Sequence, residues 1–370
     1  MNTTASAADL APEYIRRIAP YVAGKPIDEL ARELGLDAST IVKLASNENP
    51  RGASPTVVAA LAAAASELTR YPDSNGFALK DAIARRYAVD QCEIVLGNGS
   101  NDILELVSLA FLRPGDDAVY AQHAFVVYPL ATQARGARGI EVPARDFGHD
   151  LAAMRAAITA QTRIVFVANP NNPTGSWLPP AAIEAFLASV PADVVVVLDE
   201  AYNEYLDPAD DANATRWIAT YPNLVVSRTF SKAYGLAALR VGYGVMNAAL
   251  ADIVNRVRPP FNVNAFAQVA AIAALADTGY VDASRAQNRD GMRTLAAGFD
   301  ALGLRHLPSR GNFIMVDVGD GMTVFENLLR AGVIVRPVAN YGLPAWLRVT
   351  VGLAHENARL LAALPAALGR

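Results

Sequence analysis

The chain reads as an α/β protein: a three-layer α/β/α large domain around a mostly parallel seven-stranded sheet, joined to a smaller α+β domain. Three observations predict this. Between residues 93 and 245, seven short β-branched runs alternate with helical stretches, the mark of βα units on a buried parallel sheet. After about residue 266 the pattern changes to longer helices and a few short strands. The length of 370 residues leaves room for two units, at about 100–200 residues per domain.

The seven strands are expected at 93–96, 118–120, 139–142, 163–167, 193–198, 224–227 and 240–245. Between them, helices are expected at 102–112 and 180–189, the second opened by Pro179-Pro180, since proline suits a helix start. The C-terminal part predicts helices at 265–276 and 281–302, a strand at 312–316, a helix at 322–330, strands at 333–336 and 347–351, and a helix at 356–368. The first fifty residues hold a helix near 27–34 but too little apolar material for a core of their own, so they are expected to pack on the C-terminal unit. The division is therefore 50–265 for the large domain, and 1–49 with 266–370 for the small domain and its N-terminal arm.

Composition removes several classes of function. Apolar residues at 52% against 18% charged are the balance of a packed enzyme and not of a disordered chain. With 32 basic and 36 acidic residues there is no positive excess to neutralise a phosphate backbone, so nucleic acid is not expected as a partner. Cys92 is the only cysteine and the four histidines stand far apart, so neither a disulfide framework nor a metal site is expected. The apolar stretches at 56–65 and 265–276 fall short of the roughly 20 residues of a membrane span. Residues 1–13 lack the basic and apolar blocks of a signal peptide, and the expected location is the cytoplasm.

Four segments carry candidate chemistry. Ser227-Arg-Thr-Phe-Ser-Lys-Ala-Tyr-Gly-Leu-Ala-Ala-Leu-Arg240 follows a strand and contains Lys232, one of only four lysines in a chain that otherwise uses arginine. A lysine amine can form a Schiff base with an aldehyde, and the Ser231 hydroxyl with the Arg240 guanidinium can share the bonds of a phosphate. Alone, the segment fits an ordinary exposed loop lysine equally well. Asp199 ends the apolar run beginning at Val194, where ligand crevices of parallel sheets lie. A carboxylate there needs a cation, and a protonated pyridine nitrogen is one. Tyr202, three residues on, can hydrogen-bond a cofactor phenolate, although a strand-end aspartate also serves as a simple cap.

Asn169-Pro-Asn-Asn-Pro-Thr-Gly175 is a stiff loop after a strand, able to hold the Asn172 amide without wobble or to be only a turn. Gly97-Asn-Gly-Ser-Asn101 lies between a strand and a helix, a place where backbone N–H groups receive an anion. Gly99, Ser100 and Asn101 would make that contact. A nicotinamide cofactor would want a third glycine where Asp102 stands.

Together, Gly99-Ser-Asn, Asn172-Pro-Thr-Gly, Asp199-x-x-Tyr202, Ser231-Lys232 and Arg240, in this order, resemble the fold type I aminotransferases that use pyridoxal 5′-phosphate. Tyr21-x-x-Gly-Lys-Pro26, Lys43-Leu-Ala-Ser-Asn-Glu-Asn-Pro50, Tyr71-Pro-Asp73 and Leu347-Arg-Val-Thr-Val-Gly352 are similar to the histidinol-phosphate aminotransferases, and the likeness runs over nearly the whole chain. The resemblance implies that Lys232 carries the cofactor and shuttles a proton, that Asp199 holds the ring nitrogen, and that Asn172 and Tyr202 bond the ring oxygen. It further implies that Phe125 stacks on the ring and that the chain is a homodimer in which Tyr71 reaches the partner's cofactor phosphate. The implied reaction moves the amino group between L-histidinol phosphate and 2-oxoglutarate, giving imidazole acetol phosphate and glutamate in histidine biosynthesis. Arg348 would receive the glutamate carboxylate or the substrate phosphate, with Arg336, Tyr21 and Asn47 beside it.

The cofactor-stacking segment departs from the Pro-Thr-Tyr or Pro-Thr-Phe frequent in that family. It reads His123-Ala-Phe125, and His123 is read here as an ordinary half-buried histidine. Competing readings share the cofactor site. An aromatic amino acid aminotransferase would differ only around Tyr21, Asn47 and residues 338–343, since imidazole and phenyl rings are of similar size. A decarboxylase of an amino-acid phosphate is a third enzyme reading. A cofactor-binding sensor would carry an added DNA-binding module, for which the first fifty residues show neither a helix-turn-helix nor a basic stripe.

Overall fold

A computed structural model describes residues 6–21 and 23–370. The opening residues 1–5 of the expected N-terminal arm, and Val22, lie outside the described residues.

Twelve strands occur among the described residues: β1 (Val42–Lys43), β2 (Ile94–Gly97), β3 (Asp117–Ala121), β4 (Arg138–Val142), β5 (Thr162–Ala168), β6 (Val195–Asp199), β7 (Leu224–Thr229), β8 (Gly242–Met246), β9 (Phe313–Asp317), β10 (Val333–Ile334), β11 (Arg336–Pro337) and β12 (Trp346–Thr350). Seven form one sheet in the order β2-β8-β7-β6-β5-β3-β4. Only β8 runs antiparallel to its neighbours, so the mostly parallel seven-stranded sheet expected from the sequence is present. Its middle strands are buried throughout, which is why they read as unbroken Val, Ile and Leu runs instead of alternating ones.

The register of this sheet assembles the site. Ala168 of β5 pairs with Asp199 of β6, and Asp199 pairs with Ser227 of β7. Gly242 of β8 lies opposite both Thr229 of β7 and Gly97 of β2. The carboxyl ends of β2, β5, β6 and β7 therefore open on one edge, the place where parallel sheets bind ligands.

The smaller unit holds the antiparallel sheet β11-β12-β9 and the parallel pair β1-β10. Its core joins Leu295, Phe299, Ile314, Val316, Leu328, Val349 and Leu360 with Leu44 from the N-terminal segment. The helix Ile27–Leu34 buries Leu30 against Ile41, Ala45 and Ile334 of the smaller unit, whereas the short helix Glu13–Arg16 lies against the helix Val127–Ala134 of the large one, where Gln133 Nε2 donates to the Tyr14 carbonyl at 3.1 Å.

The helix Ala265–Ala276 packs with the large unit: Ala267, Ala270, Ala271 and Ala274 belong to the large core. Alanines on that face let the helix lie close against the helices Pro55–Ala64 and Phe77–Tyr87. The following helix, Thr278–Ala301, buries Val281 in the large core and Leu295 and Phe299 in the small one, so it ties the two units together.

Candidate active site

A cavity of about 220 Å³ lies at the carboxyl edge of the sheet, under the smaller unit. Thirteen of the expected site residues line it: Tyr21, Asn47, Ser100, Asn101, Phe125, Asn172, Asp199, Tyr202, Ser231, Lys232, Arg240, Arg336 and Arg348. Gly99 stands just behind the wall. Tyr71 does not line the cavity of its own chain; it is 83% exposed and stacks on Phe261, with ring centroids 4.7 Å apart.

Asp199 sits at the last position of β6 and is buried. Its Oδ2 accepts a hydrogen bond from the Tyr128 hydroxyl at 2.9 Å, while Oδ1 is buried with no partner in the protein. Burial pushes the carboxyl up to about 6, opposed by the bond from Tyr128, by the Ala201 backbone N–H and by the positive charge of Lys232. The free oxygen thus demands a donor from within the cavity, preferably a cationic one.

Lys232 follows β7, and its Nζ donates to the backbone carbonyl of Ser46 at 3.2 Å. Burial, and then the neighbouring Arg348 cation, bring the amine down to about 8. At pH 7 about a tenth of the amine is then unprotonated and nucleophilic, far more than for an ordinary lysine.

Tyr202 is buried, and its hydroxyl oxygen accepts from Asn47 Nδ2 at 2.9 Å. Since burial pushes this phenol up to about 12, it keeps its proton and can donate it into the cavity. Asn47, expected to touch substrate, has both ends of its amide engaged: Thr350 Oγ1 donates to its Oδ1 at 3.1 Å. It braces Tyr202.

At the opposite end, Gly99 caps the helix Ser100–Phe111 with φ 87° and ψ 168°, a conformation that only glycine adopts freely. A Cβ there would stand 2.4 Å from Arg240 Nη2. Gly242 likewise makes room, because a side chain on it would meet the Ser100 backbone nitrogen at 2.5 Å. Arg240 is itself in the left-handed region, φ 56°, which turns its guanidinium back so that Nη1 donates to Ser231 Oγ at 3.1 Å. A helix N-terminus, a hydroxyl and an exposed guanidinium converge there, the chemistry of a phosphate cradle.

On the small-unit side, Arg336 and Arg348 lie directly opposite each other in the β11–β12 pair. Arg348 is buried; its Nη1 donates to Asn172 Oδ1 and its Nη2 to the Ala45 carbonyl at 2.6 Å. Arg348 can only donate, so the Asn172 oxygen faces it and the amide N–H₂ is left for the cavity. Among the described residues no carboxylate lies within ion-pair distance of Arg348, and its Nε is buried without a partner. Two like charges placed opposite each other across strands favour an anion between them. Arg336 stacks over the Tyr21 ring at 5.6 Å.

Sequence reasoning missed Tyr128, Thr229 and the Ser46 carbonyl, all on the cavity wall, and named Tyr341 only as part of the 338–343 loop. Tyr128 had a readable signal, an aromatic one helical turn beyond Phe125. Its ring is edge-on to Phe125 at 5.9 Å. The Ser46 contact is made by backbone and has no residue-type signature.

The chain belongs to the aminotransferases of class I and II: the model for that family matches residues 39–364. The chain is 60% identical over 362 residues to histidinol-phosphate aminotransferase 2 of Pseudomonas fluorescens strain Pf0-1, covering 98% of each. To histidinol-phosphate aminotransferase 1 of Cupriavidus pinatubonensis it is 60% identical over 361 residues, covering 96% of each. It is also similar to the crystal structure of histidinol-phosphate aminotransferase from Sinorhizobium meliloti in complex with pyridoxal-5′-phosphate, with a TM-score of 0.89 and 30% identity over 96% of this chain and 97% of that one.

Proposed function

We propose that this chain catalyses pyridoxal 5′-phosphate-dependent transfer of the amino group of L-histidinol phosphate to 2-oxoglutarate, giving imidazole acetol phosphate and L-glutamate in histidine biosynthesis. The observation that carries the reading is the buried Arg348, with no carboxylate within ion-pair distance among the described residues and opposite Arg336, which calls for an anionic substrate group; relatives 60% identical to this chain and named histidinol-phosphate aminotransferases support a phosphate over an amino-acid carboxylate alone. Histidinol phosphate brings a phosphate and glutamate a carboxylate, and one planar fork serves both.

The residues fit the cofactor on one orphaned atom above all. Asp199 Oδ1 lacks a donor, and a protonated pyridine nitrogen supplies one. The cradle of Gly99, Ser100, Asn101, Ser231 and Arg240 would hold the phosphate, Asn172 and Tyr202 the ring oxygen, and Phe125 the ring face. When bound, the cofactor supplies an aldehyde that takes up the amino group and an electron-poor ring that accepts the electron pair left at the substrate Cα.

Lys232 Nζ, lowered to about 8, removes the proton from Cα and returns it, a task for a base poised near working pH. Asp199 keeps a proton on the ring nitrogen, Tyr202 donates its hydroxyl proton, and Asn47 holds that hydroxyl in place. Residues 50–264 with the helix Ala265–Ala276 form the cofactor-holding unit; residues 23–49 and the rest of the C-terminal part cover the substrate end of the cavity.

The working form is a homodimer in which the exposed Tyr71 reaches the partner's cofactor phosphate, and its location is the cytoplasm. No helix among the described residues is long and apolar enough to cross a membrane, and no cluster of potential metal ligands occurs among them. The test is stoichiometric: with cofactor, L-histidinol phosphate and 2-oxoglutarate, the chain should release one glutamate per imidazole acetol phosphate formed. No glutamate above the enzyme-free rate contradicts the assignment.

A further inference from the structure

His123 occupies a junction that an ordinary half-buried histidine does not need. It lies between β3 and Phe125, in the left-handed region at φ 57°, and its Nδ1 bonds the backbone carbonyl of Tyr341. A carbonyl only accepts, so Nδ1 carries the proton. Tyr341 belongs to the turn Ala339–Tyr341 of the small unit, and its ring lines the cavity beside Arg348, whose charge partly offsets the upward push of burial on the Tyr341 phenol. The backbone carbonyl of His123 meanwhile accepts from Asn171 Nδ2 at 3.1 Å, next to Asn172. The imidazole stacks on Phe147, centroids 6.2 Å apart, and Phe147 packs on Trp346 at the start of β12.

We propose that His123 is a positioning residue for substrate recognition: its Nδ1–H fixes the 339–341 turn across the interface and thereby holds Tyr341 at the anion-binding end of the cavity. The contact joins the loop that carries Phe125 to the strand pair that carries Arg336 and Arg348. It acts on the substrate side alone, because the link from His123 to the Asn172 loop is made by backbone and survives any side-chain change. The inference rests on this cavity being the transamination site.

The test compares three holoenzyme variants with the parent chain. His123→Gly accepts φ 57° without strain and deletes the donor. His123→Asn keeps a donor near the Nδ1 position and tolerates the left-handed backbone. His123→Asp has the shape of Asn and the same backbone tolerance but only accepts when ionised. Loss of a hydrogen bond that orders a binding group should raise KM for the amino donor about fivefold to tenfold in the glycine variant. Its kcat and cofactor absorbance should stay near the parent values.

The Asn variant should bring KM back to within about twofold of the parent, and the Asp variant should not. An unmoved KM in His123→Gly, or equal KM values in the Asn and Asp variants, overturns the inference; the second comparison holds even if the glycine variant does not fold. A parent chain that turns over glutamate but not histidinol phosphate would contradict the proposed function instead. The His123 comparison would then be read with glutamate as donor.

Discussion

Tyr128 donates its hydroxyl proton to Asp199 Oδ2 at 2.9 Å and leaves Asp199 Oδ1 as an unpaired buried acceptor on the cavity wall. The pair comes from different elements, Tyr128 from the helix Val127–Ala134 and Asp199 from the end of β6. One oxygen takes a full hydrogen bond from the protein, and the other has no such partner and faces the cavity lining.

In the cofactor-free chain this carboxyl should make stability depend on pH. Its folded pKa, about 6, exceeds its ordinary 3.8, so between these values the folded state holds a proton that the unfolded state has released. Stability then falls as pH rises from about 4 to 6, by on the order of 3 kcal/mol for this group. Urea unfolding of the apo chain across that range should show the loss, and Asp199→Asn should remove it. Tyr128→Phe deletes a bond that favours the carboxylate, and should shift the window to higher pH.

Lys232→Ala should all but abolish transamination, with kcat down at least about 10⁴-fold, since the variant loses the group that takes up the aldehyde and also the base. The fold should persist, because Nζ makes a single hydrogen bond, to the Ser46 carbonyl. Borohydride treatment should fix cofactor to the parent chain and not to the variant. Cofactor fixed to Lys25, Lys43 or Lys80 in the variant would show that the lysine had been misassigned.

Arg348→Lys should behave almost as badly as Arg348→Gln. The guanidinium spans Asn172 Oδ1 and the Ala45 carbonyl with two different nitrogens, a span that one ammonium cannot copy. KM for both histidinol phosphate and glutamate should rise about 100-fold, as expected when a buried charge loses its role toward an anion. Near-normal KM in the lysine variant would argue for a simple point charge.

Gly99→Ala should weaken cofactor binding at least about tenfold and cost about 1–3 kcal/mol of stability, the range for forcing a side chain into backbone that only glycine adopts freely. The added methyl would also push Arg240 from its bond to Ser231. Equilibrium dialysis of the cofactor and a thermal midpoint measure the two effects separately.

Much of the fold was legible because central parallel strands bury both faces and so leave long β-branched runs; β5 and β6 are found within two residues of the expected ends. Legibility fails where the backbone departs from regular geometry. The strand expected to begin at Arg240 begins at Gly242, because Arg240 takes a left-handed conformation to reach Ser231. The strand expected at 333–336 divides into β10 and β11, which pair with different neighbours. The alanines of the helix Ala265–Ala276 suit either core, so sequence pattern could not say which one it joins. Within the site, residues that touch a ligand have characteristic types, whereas Tyr128 and His123 act on other protein groups, and what they meet is set only by the tertiary fold.

The most direct measurement is single-turnover conversion of the pyridoxal form to the pyridoxamine form, comparing second-order rate constants for L-histidinol phosphate and L-phenylalanine. The site described here pairs two arginines, Arg348 and Arg336, which suits the doubly charged phosphate of histidinol phosphate better than the single α-carboxylate of phenylalanine, and predicts a preference for histidinol phosphate of several kcal/mol, read as RT ln of the ratio. Equal constants, or a preference for phenylalanine, would keep the fold and Lys232 but contradict the substrate assignment.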